Sequence, residues 1–192
     1  MTHLGLFTFI RHPVPLTVLA LTVALAWPLS RPLARRPGRA RPVAALLVVA
    51  IGTVVALTLT PNFGFLPTEV LPPHFLTQLD DPASVWATLT QPPADAEQIA
   101  NIALYVPVGL LAGLLWKNAV RATLLGFALT AFIETCQYDI PGRAGSLTDI
   151  RNNTIGALAG AVLAAVVTRP RGRLRAGPGG EPRSAGTSRR AP

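Results

Sequence analysis

The stretch Val43-Ala-Ala-Leu-Leu-Val-Val-Ala-Ile-Gly-Thr-Val-Val-Ala-Leu-Thr-Leu59 contains no charged side chain. A helix rises ~1.5 Å per residue, so roughly 20 apolar residues cross the ~30 Å hydrocarbon core of a bilayer. The stretch comes close to that length and predicts a membrane span over residues 43–60. Four more apolar runs of similar length lie at residues 13–29, 99–116, 120–137 and 150–168. Composition agrees: 50% of the 192 residues are hydrophobic and only 14% are charged, where a soluble domain carries about 25% charged residues. The reading is an all-α, polytopic membrane bundle of five spans in the cell membrane.

Two runs need an argument. The first follows Arg11 and contains Ala24-Leu25-Ala26, which is similar to a signal-peptide cleavage site. Arg31, Arg35, Arg36, Arg39 and Arg41 follow at once, and such a basic block resists translocation, so the run reads as an uncleaved helix. The last run carries Arg151, Asn152 and Asn153 in its first turn; these fit the membrane interface, with Arg151 snorkelling to the headgroups.

Charge then orients the chain. The Arg31–Arg41 block, Lys117, Arg121 and the arginines from Arg169 onward fall on one side, while Arg11, Arg143 and Arg151 do not. Glu69, Asp80, Asp81, Asp95, Glu97, Glu134, Asp139 and Asp149 fall on the other. The positive-inside rule therefore predicts the N-terminus outside and the C-terminus inside. The net charge of +8 raises nucleic acid as a partner. Because the cations sit in blocks between apolar runs, with few aromatics, membrane orientation accounts for them and no nucleic acid is expected. The single cysteine, Cys136, and the scattered His3, His12 and His74 give no metal-ligand spacing, and no cofactor is called for.

The chain divides into residues 1–42 (a first span and basic loop), 43–168 (four spans with an outer loop at 61–98) and a tail at 169–192. The outer loop is rich in proline and acid, and a short amphipathic piece around residues 83–89 places Trp86 as an interfacial anchor. The Gly/Pro/Arg tail cannot bury a core and reads as disordered, its arginines against anionic headgroups.

The last three spans carry polar residues that crossing a membrane does not require. Asn101, Tyr105, Gly109 and Gly113 share one helix face, as do Gly126, Thr130 and Glu134, and as do Asn152, Gly156, Gly160 and Ala164. Small residues at this spacing let membrane helices approach closely. Each stripe ends, on the same predicted side, in an amide or a carboxylate. Asn101, Glu134, Gln137, Arg143, Asp149, Asn152 and Asn153 thus gather at one level and form the candidate ligand-binding cluster. The plainer reading is that these groups cap helix ends or bridge helices. Ser146 to Asp149 has the form of a capping box, and Glu134 is within reach of pairing with Arg143 or Arg151.

The same residues resemble the VanZ-like family of bacterial membrane proteins. The resemblance covers roughly residues 43–167 and rests on Asn101-x5-Pro107-x-Gly109, on Ile133-Glu134-x2-Gln137, on Arg143 and on Asp149-x2-Asn152-Asn153-x2-Gly156. It implies a four-helix core to which the first span is an addition, and it implies a link to resistance to the glycopeptide teicoplanin. Several functions remain open at this point. A non-enzymatic envelope protein would bind membrane lipids, a cell-wall precursor or a partner protein, with Arg143 and Arg151 holding phosphate. An intramembrane enzyme would use Glu134 as general base, Asp149 as acid or Mg²⁺ ligand and Arg143 against developing charge. A small transporter or a structural assembly subunit completes the set.

Overall fold

The computed structural model describes residues 13–34, 40–59, 75–138, 140 and 145–169. Seven helices and no strand occur among them: α1 (Pro13–Leu33), α2 (Ala40–Thr58), α3 (Phe75–Gln78), α4 (Pro82–Thr90), α5 (Ala96–Trp116), α6 (Ala119–Gln137) and α7 (Leu147–Val167). α1, α2, α5, α6 and α7 are long and apolar enough to cross a membrane. The chain is a multi-pass membrane protein. Arg143, the arginines at 35, 36 and 39, the first part of the outer loop and the tail from 170 lie outside the described residues.

Capping decides where the spans begin. α5 starts ahead of the apolar run because Asp95 accepts from the Gln98 N–H at 2.8 Å. α6 starts at Ala119 because the Asn118 side chain accepts from the Arg121 N–H at 2.9 Å. Between them only Lys117 and Asn118 turn the chain, with Lys117 at φ 52 and its N–H on the Gly113 carbonyl. At α7 the Ser146 hydroxyl accepts from the Asp149 N–H at 3.3 Å. The Ser146 N–H itself donates to Glu134 at 2.8 Å, which ties this cap to the last turn of α6.

Contacts between helices fix their directions. Gly156 of α7 lies against the backbone of Ile102 and Gly160 against that of Val106, so α5 and α7 run parallel. Asn153 meets Thr130 and Gly126 meets Ala157, so α6 and α7 are antiparallel. Thr22 packs on Gly52 and Arg41 reaches Ser30, so α1 and α2 are antiparallel too. The Gln137 amide donates to the Thr58 carbonyl at 2.9 Å, which brings the last turns of α2 and α6 to one end. Consequently Arg31, Arg41, Lys117, Arg121 and Arg169 collect at one end of the bundle, the basic end. Arg151 is the one described cation at the other, polar end.

Glycines make the centre. A Cβ at Gly109, Gly156 or Gly160 would collide with the carbonyl of Ala157, Ile102 or Val106 respectively, so α5 and α7 touch backbone to backbone. α7 buries Ile150, Asn152, Asn153, Gly156, Ala157, Gly160, Ala161 and Ala164, whereas α1 buries only Pro15, Ala26 and Ser30. Around this seam Leu47, Val54, Tyr105, Val108, Ala112, Ala122 and Ile133 fill the core. Large apolar side chains such as Leu21, Val23, Phe132 and Val166 point outward, as contact with lipid requires. At the basic end the Arg41 guanidinium stacks 4.0 Å from the Trp27 ring centre and ties α2 to α1.

α4 lies outside the spans and buries none of its own residues. Asp81 opens it, accepting from the Ala83 and Ser84 N–H groups and from the Ser84 hydroxyl at 2.6 Å. The Ser84 hydroxyl first, then the Ala83 N–H, holds the Asp81 carboxyl below its ordinary value. A depressed folded value means the cap's contribution is complete above the ordinary aspartate range and fades as pH falls through the lowered value. Amide protection at Ala83 and Ser84 should therefore differ between the wild type and Asp81→Ala at neutral pH. The two should converge in acid, and a constant difference down to the acid limit would contradict this role of Asp81.

Candidate functional site

The polar end is built from the first turns of α5 and α7 and the last turn of α6. Glu134, Gln137, Asn152 and Asn153 are all buried there, Asn152 completely. Several hydrogen bonds here run between helices. Asn101 donates to Asp149 at 2.8 Å and joins α5 to α7. Asn153 donates to the Thr130 hydroxyl at 2.9 Å and joins α7 to α6. Glu134 fixes the entry to α7 through the Ser146 N–H, and Gln137 turns away to α2. A hydrogen bond to an ionised group contributes ~1.5–3 kcal/mol and a neutral one about 1 kcal/mol. The predicted cluster is thus first a frame that locks four spans together, α2, α5, α6 and α7. Arg143 lies outside the described residues.

Arg151 folds over α4. Its Nη1 donates to the Gln91 carbonyl at 2.6 Å and to the Thr88 carbonyl. Its Nε and Nη2 donate to the Asn152 Oδ1 at 3.0 and 2.7 Å. The physical reason is local. The last carbonyls of a helix have no intrahelical donor and carry the negative end of its dipole, so a nearby guanidinium satisfies them. Arg151 therefore caps the C-terminal end of α4 and leaves little of its fork for phosphate.

Not all the buried polar capacity is used. Among the described residues Asn152 Nδ2, Asn153 Oδ1 and the Tyr105 hydroxyl are buried without a hydrogen bond of good geometry, although Thr130 lies beside Tyr105. Such a group costs ~1–3 kcal/mol in an apolar setting.

Beside the frame, α4 leaves an opening. A pocket of about 280 Å³ is walled by polar Gln78, Ser84, Thr88, Gln91, Gln98, Thr148 and Arg151 together with Ala87, Pro92 and Ala94. Gln98 precedes Asn101 by one turn, and Thr148 precedes Asn152 by one turn on the same face of α7. The pocket therefore adjoins the frame. Sequence reasoning placed Arg151 near this end but did not foresee Gln78, Gln91, Gln98 or Thr148. The available signal was the periodicity that extends Asn101 back to Gln98.

These features define a helical multi-pass membrane protein with a cross-linked polar frame and an adjoining pocket at one end. A sequence profile of the family described as VanZ/LLP1 matches residues 16–168, most of the chain, and the chain belongs to that family. The match begins within α1 and extends through α7. No curated protein and no solved structure matches the chain.

Proposed function

We propose that this protein is a non-enzymatic envelope protein that binds the polar headgroup of a membrane lipid or lipid-linked cell-wall precursor at the non-cytoplasmic surface. The observation that carries the reading is the polar pocket between α4 and the first turns of α5 and α7, held in shape by Arg151. The cations at the opposite end of the bundle support this orientation, since the positive-inside rule favours them on the cytoplasmic side. Glu134 has a structural partner in the Ser146 N–H, which favours a framing role over that of a general base. A link to glycopeptide susceptibility belongs to the same reading, since those antibiotics act on that side of the membrane.

Native mass spectrometry of the full chain with co-purified lipid tests the proposal. The wild type should retain an envelope lipid, and Gln98→Ala with Thr148→Ala should lower its occupancy about tenfold, the loss of one to two hydrogen bonds. Equal retention by the variant, or no lipid retained by the wild type, would overturn it.

A further inference from the structure

We propose that the pocket beneath α4 takes an uncharged, pyranose-sized sugar ring rather than a phosphate, a specificity that rests on the binding function proposed above. Size comes first. At about 280 Å³ the pocket lies at the small end for organic ligands, which start near ~300 Å³. One ring fits, and a sugar chain does not.

Lining chemistry comes second. Gln78 and Gln91 offer amides with donors and an acceptor, and Thr148 offers a hydroxyl that does both, while Ser84 and Gln98 are already engaged with Asp81, Ala94 and Asp95. A sugar hydroxyl also donates and accepts, so Gln78, Gln91 and Thr148 match it. A phosphate only accepts, and the amide oxygens of the wall would face it with repulsive dipoles.

Charge decides between them. Arg151 is the one cation in the lining, and three of its nitrogens already donate to Thr88, Gln91 and Asn152. The segments that supply the wall carry Asp80, Asp81, Asp95 and Glu97. An anion entering there meets net negative charge and few free donors, whereas a neutral polyol meets neither obstacle. Placement fits as well. Trp86 and Leu89 of α4 are 69% and 64% exposed, as expected of a helix resting in the interfacial layer where a glycolipid presents its sugar.

The test uses the full chain in phosphatidylcholine nanodiscs. Three probes are added in separate samples: monoglucosyl diacylglycerol, phosphatidylglycerol and soluble methyl β-glucopyranoside. Hydrogen–deuterium exchange is read over residues 82–98, and saturation-transfer NMR is read on the soluble sugar. The glucosyl lipid should protect α4 and phosphatidylglycerol should not. Gln78→Leu with Gln91→Leu, whose side chains carry no bond of the frame, should weaken the protection about tenfold. Signal from the soluble sugar alone would place a free saccharide, not a glycolipid, in the pocket and still support the sugar specificity. If the double variant misfolds, Thr148→Ala serves in its place. Protection by phosphatidylglycerol without protection by the sugar probes overturns the sugar assignment and leaves headgroup binding standing. No protection by any probe overturns the assignment, and only a failure to retain lipid in native mass spectrometry as well removes the function beneath it.

Discussion

Arg151→Ala should release α4 from the bundle. α4 is nine residues long and buries none of them, so it has little of its own to hold it in place. An isolated helix of that length is not stable in water. Two charge-assisted bonds from Arg151, to the Thr88 and Gln91 carbonyls, close its C-terminal end. At the lower end of their range, ~1.5 kcal/mol each, their loss amounts to about 3 kcal/mol. With ~1.36 kcal/mol per decade, amide exchange across residues 83–91 should accelerate by roughly a hundredfold. Exchange in the cores of α5 and α7 should not change. Arg151→Lys should recover only part of the protection, because a single ammonium cannot serve two carbonyls and Asn152 in the geometry of a planar fork. Unchanged exchange in α4 would show that packing, not Arg151, holds it.

The largest loss of stability should come from the seam between α5 and α7. Gly156→Val or Gly160→Val drives side-chain carbon into the carbonyl of Ile102 or Val106. Backbone cannot swing aside as a long side chain does, so the helices must separate. Overpacking costs ~1–3 kcal/mol in a core that can adjust, and this contact should reach or pass the top of that range. Separation would also stretch the Asn101–Asp149 bond at 2.8 Å, nearer the polar end of the same pair of helices. The expected result is a fall in the detergent melting temperature together with aggregation on size exclusion. Leu158→Val is the control, since that side chain of α7 is exposed on the outside of the bundle. A Gly156→Val protein as stable as the wild type would mean that α5 and α7 do not touch at the backbone.

The spans were legible because a bilayer leaves the chain almost no choice. A run such as residues 43–59 has no alternative fold in hydrocarbon, and its length sets its role. The small-residue stripes were legible for a related reason: Gly109, Gly156 and Gly160 at helical spacing mean close approach, and the structure shows the approach. Sequence placed the cluster at one end but did not foresee how it is wired. Asn101 with Asp149 and Glu134 with Ser146 are pairings across helices, and periodicity along one helix says nothing of a partner on another. The tie from Arg151 to α4 is not legible in the sequence, because the carbonyl it satisfies at Gln91 lies 60 residues away. The pocket was hidden for the same reason, as its walls come from residues as far apart as Gln78 and Arg151.

The Lys117–Asn118 turn bears on how the protein is made. So short a link obliges α5 and α6 to enter the bilayer together as a hairpin. The glycine face of α5 is nevertheless matched to α7, which is synthesised later. Until α7 arrives, that face meets lipid or α6, and the Asn101 amide lacks its Asp149 partner. The nascent chain therefore carries an unmated helix through the whole of α6. A chain stopped before residue 147 would display the same surface permanently, which is the kind of unpaired polar helix that membrane quality control removes.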